Sequence, residues 1–388
     1  MFSLTKEQQD IRRRASALAQ SQIRKIAAEI DSNKRFPFEN IQLLAENGIF
    51  GYAYPEAYGG SGRDFFGYIL ALEEIAKSCA ATASIVATHG VSMYCLQRYG
   101  TAEQLQKYLP RTISGHLMGF ALTEPDAGSD ANAMLTTAVR DGDNYIINGS
   151  KMFISSAPAN DAHIVITVTG KDERGKKEFT AFIVDKDTPG CTVGSEIRKL
   201  GIRGSLTAEL VLEDCVVPAS QMLGRLGEGM HIALSSLDLG RISMGTQALG
   251  IAQGALNETI EYVNSHVGSD GVLLGKAQHV QFALADLQTR VDAGRLLIWR
   301  AAQLKDAGQP FSKEAAMAKL YNSDLAMETT ATCVSLMGHD GGSGAYPVER
   351  MMRDAKITQI YEGTNEIQKV VISRAIGVGT KVGKAEEK

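Results

Sequence analysis

The chain of 388 residues is 22% charged and 44% hydrophobic, the balance of a globular protein long enough for more than one domain or layer. A formal net charge of −4 argues against a nucleic-acid or membrane-surface binder, because both usually present a basic field. No apolar run has the length of a membrane span, and the N-terminal residues lack the hydrophobic segment of a secretion signal. We therefore expect a cytoplasmic protein that does not bind membranes.

The cysteines and histidines are scattered along the chain. No CxxC pair occurs, and the seven histidines form no HxH or HxxxH pair. We therefore expect buried free thiols in a reducing compartment, and neither a disulfide framework nor a metal site. The five cysteines are Cys79, Cys95, Cys191, Cys215 and Cys333.

The first part of the chain, residues 5–111, has helical periodicity. Thr5 and Gln8 have the spacing of a capping box, which begins a helix by satisfying free backbone N–H groups. A second helical run with apolar residues at helical spacing covers residues 67–78. These patterns predict an N-terminal helical domain.

Short β-branched runs and turn signals replace this periodicity over residues 118–223, a pattern typical of an antiparallel β domain. The runs are residues 145–147, 164–168, 179–184 and 208–212. Helical periodicity returns over residues 229–376, with Ala-rich faces that suit close helix packing. The sequence therefore predicts an α+β protein in the order helical, β, helical.

Two motifs near the β region have the composition of a cofactor site. Residues 120–130 combine a strand end with hydroxyls and glycine, so their backbone N–H groups either bind carbonyl or phosphate oxygens or close a capped turn. Residues 151–157 set an aromatic residue beside hydroxyls, which fits either contact with a planar ring or a buried strand.

Two further motifs carry charge. Asp238 and Arg241 lie at i, i+3 on one helix face. They form either a surface ion pair, or a partly buried pair whose arginine binds phosphate or carboxylate. Glu362 lies between an aromatic residue and a Gly-Thr pair in apolar surroundings. Glu362 has two interpretations. If its hydration is limited, its pKa rises into the range of a general base; if it is a surface glutamate before a turn, it has no catalytic role.

In this order, the motifs resemble those of the acyl-CoA dehydrogenase family of flavoenzymes along the whole chain. The matching strings are residues 122–125, 127–130, 151–154, 346–350, 352–357 and 360–364, with Asp238 and Arg241. The resemblance implies an α+β fold with an N-terminal helical domain (1–117), a central antiparallel β domain (118–224) and a C-terminal four-helix bundle (225–388). It also implies FAD, an acyl-CoA substrate, an electron-transfer flavoprotein as electron acceptor, and a homotetramer.

The resemblance assigns roles to single residues. The positions that match FAD contacts are Phe120, Leu122, Thr123, Ser129, Phe153, Ile154, Ser155, Thr364 and Glu366. The positions that match contacts near the acyl-CoA are Ser129, Asp238, Arg241 and Gly363. Glu362 matches the base that removes the α proton while the β hydrogen leaves as hydride to flavin N5. Some relatives carry this base at the position of Gly240, where glycine cannot serve.

Two strings depart from the family pattern. Val267 stands where the family usually has an arginine, and residues 335–339, from Ser335 to His339, replace a Gln-Ile-Leu-Gly-Gly string. In the family both strings come from a neighbouring subunit and hold the ADP half of FAD, so a charge-assisted phosphate contact is lost unless His339 replaces it in part. Two interpretations follow. Either FAD binds through altered contacts in a homo-oligomer, or a different chain of a hetero-oligomer supplies the missing contacts. The same residues also fit an oxygen-using acyl-CoA oxidase or a non-catalytic acyl-CoA-binding relative.

The segment that matches the end of the family's acyl pocket, residues 85–94, contains Thr88, His89 and Met93. His89 fits either an unusual or functionalised acyl chain or a buried histidine with satisfied hydrogen bonds. The segment has no arginine to pair with a dicarboxylate tail. Phe153 matches a position where an aromatic residue commonly docks the electron-transfer flavoprotein.

Overall fold

The computed structural model describes residues 3–379 as a helical part, a sheet and a second helical part. The first helices are α1 (Lys6–Leu18), α2 (Arg24–Asn33), α3 (Phe38–Glu46), α4 (Phe65–Ser78), α5 (Ala80–Tyr99) and α6 (Ala102–Ile113). Thr5 and Gln8 form the predicted capping box, each side chain accepting from the other residue's backbone N–H. Every residue of α4 is buried, because α4 packs against α1, α5 and two of the C-terminal helices.

The strands form one sheet in the order β6-β7-β3-β2-β4-β5-β8, with β1 beside β4. They are β1 (Leu117–Ala121), β2 (Thr137–Asp141), β3 (Asn144–Ser155), β4 (Asn160–Lys171), β5 (Lys177–Asp185), β6 (Cys191–Glu196), β7 (Thr207–Pro218) and β8 (Met222–Leu223). All four predicted runs lie in these strands. The sheet is mostly antiparallel, as predicted, but β1 and β2 both pair with β4 in parallel. Residues 122–159, with the β2–β3 hairpin, provide the crossover that a parallel pair needs.

Three long helices dominate the C-terminal part. The helices are α7 (Gly229–Val263), α8 (Gln278–Asp306), α9 (Ser312–Leu336), α10 (Gly338–Gly342), α11 (Val348–Ala355) and α12 (Asn365–Ala375). In place of a fourth long helix, two short helices of the described chain, α11 and α12, both pack on α9. The segment between them carries Glu362. Helix α7 lies against α4 so closely that a Cβ on Gly254 would be 2.7 Å from the carbonyl oxygen of Lys77.

The five cysteines are all buried and free, as predicted. Within residues 3–379, no helix is long and apolar enough to cross a membrane.

Candidate active site

The predicted base lies on a strained turn between α11 and α12. Glu362 has φ 53° and Gly363 has φ 85°, both in the left-handed region. This conformation is uncommon for a residue with a side chain, and such strain concentrates at functional sites. Six described residues other than glycine have positive φ, and three of them, Phe153, Ser156 and Glu362, belong to motifs that the sequence singles out.

The Glu362 carboxylate is shielded although the residue as a whole is partly exposed. Its Oε2 atom is buried and has no hydrogen-bond partner among the described residues. Gly240 of α7 makes room for it, because a Cβ at that position would lie 2.5 Å from Oε2. Burial raises the pKa of Glu362 to about 7, against the opposing effect of the positive charges of Arg241 and Lys319. A carboxyl group with this pKa suits a general base.

Asp238 and Arg241 form an ion pair beside Glu362. The Arg241 side chain is 6% exposed, so the pair is partly buried, as one of the two interpretations of the motif required. Asp238 also accepts from Ser312 Oγ at 2.9 Å, and burial raises its pKa. The Nε of Arg241 is buried without a hydrogen-bond partner in the described part of the chain. The pair therefore leaves a spare donor that suits a carbonyl or phosphate oxygen.

The residues that follow Glu362 begin α12. Thr364 is the N-cap, and its hydroxyl accepts from the Ile367 N–H at 3.4 Å. Gln368 Nε2 reaches back to the Gly363 carbonyl at 2.8 Å. Glu366 is exposed, and hydrogen bonds with its own backbone N–H and with Thr364 lower its pKa. Thr364 and Gly363 therefore adjoin the base, whereas Glu366 faces solvent.

The two predicted FAD-binding strings lie edge to edge. The Met152 N–H donates to the Thr123 carbonyl at 2.8 Å. Below them, Lys151 is fully buried and its Nζ donates to the Leu122 carbonyl at 3.1 Å and to Glu124 Oε1 at 2.7 Å. The sequence alone does not reveal this ion pair, although both of its members lie in the singled-out motifs. The pair joins the strings, and each of its buried charges neutralises the other.

Phe153 stands at a β-bulge where two residues of β3 lie opposite one residue of β7. Its φ is 60° and it is 59% exposed, while Ile154 is buried and Ser155 is half-buried. Bulges re-aim side chains next to active sites. The half-buried residues Phe120, Leu122, Thr123 and Ser155 are uncharged and are either apolar or carry hydroxyls, while Asp126 and Asp130 are exposed farther along the first string. These properties fit the neutral, planar ring of a flavin, and Ser129 is exposed in the loop after the first string.

Helix α5 faces α7 beside the base. The Val91 Cγ2 atom would lie 3.2 Å from a Cβ at Gly240. His89 is buried, contacts the Thr112 carbonyl through Nε2 at 3.2 Å, and accepts from the Met118 N–H at Nδ1. Burial lowers the pKa of His89 to about 4, so the ring is neutral. This result selects the interpretation of His89 as a satisfied buried histidine and removes the argument for a functionalised acyl chain.

The departing strings lie at the end of α7 and of α9. Val267 is 60% exposed and Ser335 Oγ donates to the Ala331 carbonyl of its own helix. The neighbouring His266 ring stacks on Tyr262 at 3.8 Å and its Nε2 lies 3.2 Å from the Tyr346 hydroxyl. An aromatic cluster therefore adjoins the position where the family has its arginine.

Comparison with known proteins identifies the family of the chain. Family models match consecutive parts of the chain: the acyl-CoA dehydrogenase N-terminal domain over residues 5–116, the middle domain over 119–215 and the C-terminal domain over 227–377. A curated relative, the short-chain specific acyl-CoA dehydrogenase of Clostridium acetobutylicum, is 44% identical over 377 residues, which cover 97% of this chain and 99% of the relative.

Two solved structures have the same fold. Butyryl-CoA dehydrogenase from Megasphaera elsdenii matches with a TM-score of 0.94 at 42% identity, covering 97% of this chain and 99% of that chain. A glutaryl-CoA dehydrogenase from Mycobacterium smegmatis in complex with FADH2 matches with a TM-score of 0.91 at 31% identity, covering 99% of this chain and 97% of that chain. The chain therefore belongs to the acyl-CoA dehydrogenase family, whose members are FAD-dependent oxidoreductases that act on CH–CH groups.

Proposed function

We propose that this chain converts a short-chain acyl-CoA thioester to the 2-enoyl-CoA, with Glu362 as the base that removes the α proton. One observation carries the proposal: the Oε2 atom of Glu362 is shielded from solvent and unpartnered among the described residues, in the space that Gly240 leaves open on α7. Relatives named short-chain specific and butyryl-CoA dehydrogenase support the short acyl chain.

The chemistry follows from the state of this carboxylate. A thioester carbonyl acidifies the α C–H bond, and a pKa of about 7 makes Glu362 a stronger base than an exposed glutamate while leaving much of it ionised near neutral pH. The α proton is transferred to Glu362, and the electron pair of its C–H bond forms the Cα=Cβ double bond as the β hydrogen leaves as hydride. FAD, when bound, accepts that hydride. The backbone N–H of Glu362 donates to the thioester oxygen, where negative charge develops.

The two strings of the sheet would hold the flavin, and the first turn of α12 would contact the rest of FAD. The proposed contacts are Phe120, Leu122, Thr123, Ser129, Phe153, Ile154, Ser155, Thr364 and Glu366. These assignments are supported by the uncharged, half-buried side chains of Phe120, Leu122, Thr123 and Ser155 and by the ion pair of Lys151 and Glu124 that joins the strings. The proposed acyl-CoA contacts are Ser129, Asp238, Arg241 and Gly363.

We extend the proposal to partners and domains. The 59% exposure of Phe153 on the proposed flavin surface supports docking of an electron-transfer flavoprotein there. The exposed, apolar Val267 at the end of α7 supports burial of this region in a homotetramer, with FAD held by contacts other than the family's arginine. The transitions from α6 to β1 and from β8 to α7 support domains at 1–117, 118–224 and 225–388.

The test compares wild-type protein with Glu362→Gln, which keeps the size of the side chain but cannot accept a proton. We expect both proteins to bind FAD and show the flavin absorption band. Under anaerobic conditions butyryl-CoA should bleach the wild-type flavin. The bleaching rate of the variant should be lower by a factor of about a thousand or more. Bleaching of the variant at the wild-type rate would contradict the assignment of Glu362. Faster wild-type bleaching by long-chain than by four-carbon thioesters would contradict the short acyl chain.

A further inference from the structure

Lys319, in the middle of α9, is fully buried. Lysine is almost never fully buried unless its charge is paired. Three lysines of the described chain are buried, and two of them pair with glutamates: Lys77 with Glu74 and Lys151 with Glu124, each at 2.7 Å. Lys319 has no carboxylate within ion-pair distance among residues 3–379. Its position therefore needs another explanation.

The ammonium group of Lys319 contacts the turn that carries the base. Nζ donates to the Gly363 carbonyl at 2.8 Å and to the Asn365 side-chain oxygen at 2.9 Å. The same Gly363 carbonyl accepts from Gln368 Nε2 at 2.8 Å. Two donors on one carbonyl fix the Gly363–Thr364 peptide, directly after two successive residues with left-handed φ values. When protonated, the Lys319 ammonium group makes the stronger of these two hydrogen bonds.

The acceptor on the other side of Lys319 is itself fixed. The Asn365 amide nitrogen donates to Asp324 at 2.8 Å, and its oxygen also accepts from Ser323 Oγ at 3.0 Å. Asp324 accepts from Gln359 Nε2 at 2.6 Å as well. The amide of Asn365 therefore cannot turn without breaking several hydrogen bonds, and it holds the ammonium group under the turn.

Charged and titratable groups meet at the base from every element packed around it. Arg241 projects from α7, Lys319 from α9 and Cys95 from α5, while Tyr361 precedes Glu362 on the turn. Of these, only the two cations favour the ionised carboxylate. Burial lowers the pKa of Lys319 to about 7, and the charges of Glu362, Asp324 and Glu366 oppose this effect. The states of Lys319 and Glu362 are thus electrostatically coupled.

We propose that Lys319 is a positioning residue of the dehydrogenation, whose ammonium group holds the Gly363 peptide from behind and so aims the Glu362 carboxylate at the substrate. The charge of its protonated form also favours ionisation of that carboxylate. The inference rests on the proposed function, because it assumes that Glu362 is the base. Lys319 acts through the turn, because its hydrogen bonds go to Gly363 and Asn365.

The experiment compares Lys319→Met with a matched control, Lys77→Met, which removes another buried lysine on a different helix. For each protein we would measure flavin content, melting temperature, kcat and KM, and the rate of anaerobic flavin bleaching by butyryl-CoA from pH 5.5 to 9. We expect both variants to melt below the wild type. Lys319→Met should also lose about 10- to 100-fold in kcat with KM nearly unchanged, because a misplaced base reacts poorly.

The pH profile separates positioning from stability. Without the Lys319 charge, Glu362 ionises at higher pH, so the acid limb of the profile should move up by about one pH unit or more. In Lys77→Met the limb should stay at its wild-type position. A folded, flavin-loaded Lys319→Met with the wild-type limb and kcat would overturn the proposal. A wild-type protein that no acyl-CoA bleaches would instead refute the proposed function itself.

A second variant keeps the inference testable if Lys319→Met does not fold. Asn365→Ala removes one of the two Nζ acceptors and keeps the charge. We expect a several-fold loss in kcat with the acid limb in place, because the turn loosens while Lys319 remains. Wild-type kcat in Asn365→Ala would count against positioning by the ammonium group.

Discussion

The space that Gly240 leaves for the base gives a quantitative prediction. In Gly240→Ala the new methyl group would lie 2.5 Å from Glu362 Oε2 and 3.2 Å from Val91 Cγ2. Non-bonded atoms sit about 3.5 Å apart, so the carboxylate must move by about 1 Å. The carboxylate ends a flexible side chain and can move at little cost in folding free energy. A displacement of this size at the reacting group lowers rates by roughly a hundredfold.

The same substitution should leave the fold intact. Alanine replaces glycine inside a long helix, which favours the helix by about 1 kcal/mol and offsets the contact with Val91. We therefore expect Gly240→Ala to keep its flavin and its melting temperature while the rate of anaerobic bleaching by butyryl-CoA falls roughly a hundredfold. Gly254→Ala is the matched control, because its methyl group would lie 2.7 Å from the backbone carbonyl of Lys77, which cannot move aside. That variant should lose stability and keep its rate per bound flavin.

The outcome that refutes this reasoning is a folded Gly240→Ala protein that bleaches at nearly the wild-type rate. It would show that Glu362 reaches the substrate from a position that does not depend on the space at Gly240. A protein that loses its flavin or melts far below the wild type would show that the methyl group disturbs packing instead of the base.

Three further predictions concern ionisable groups. Glu362 must be ionised to accept a proton and has a pKa of about 7, so the bleaching rate should fall about tenfold per pH unit below this value; a rate that is flat from pH 8.5 to 5.5 would exclude it as the base. Lys151→Met leaves the Glu124 carboxylate buried and unpaired, which costs about 3–5 kcal/mol, so FAD should dissociate during gel filtration. Flavin content equal to the wild type would contradict the joining role of this pair. Asp354 is buried, accepts from the Ile202 N–H, and has a pKa raised to about 6 from 3.8. A raised pKa gives stability that is present below pH 4 and lost as pH rises through 6, by about 3 kcal/mol. Asp354→Asn removes this loss, so its melting temperature should exceed the wild type's at pH 7.5, and the excess should shrink by about half at pH 5; a lower value at pH 7.5 would contradict the sign.

The features that the sequence predicts correctly are local ones. The capping box of Thr5, the four β-branched runs and the free cysteines depend on neighbouring residues or on composition, and all are confirmed. The family motifs also identify the family. The parallel pairing of β1 with β4 was missed, because it joins segments about 45 residues apart and strand propensity carries no information on direction.

The supporting residues of the site were missed for a similar reason. Lys319 stands in an Ala-rich helix, where a lysine usually marks an exposed face, and its partner Gly363 is 44 positions away. Lys151 contacts Glu124 across 27 positions. In both cases the signal in the sequence is one charged residue in an apolar surrounding, and only the fold brings it to a partner. The strained turn at Glu362 and Gly363 likewise accepts a hydrogen bond from Lys319 of another helix, which the sequence does not reveal.

The charges around the base explain why a buried carboxylate is tolerated. Asp238 and Glu362 carry two negative charges and Arg241 and Lys319 carry two positive charges, so the group is neutral when all four are ionised. When Glu362 takes up the α proton it loses its charge, and a negative charge develops on the thioester oxygen. The total charge of the site therefore stays the same during proton transfer, and the two cations stabilise the new charge as they stabilised the old one. Loss of the Asp238 carboxylate would leave the group with a net charge of +1 and would lower the pKa of Glu362, because a nearby negative charge that disfavours its ionised form is removed. The four residues are best treated as one unit, whose single substitutions will not have additive effects on rate.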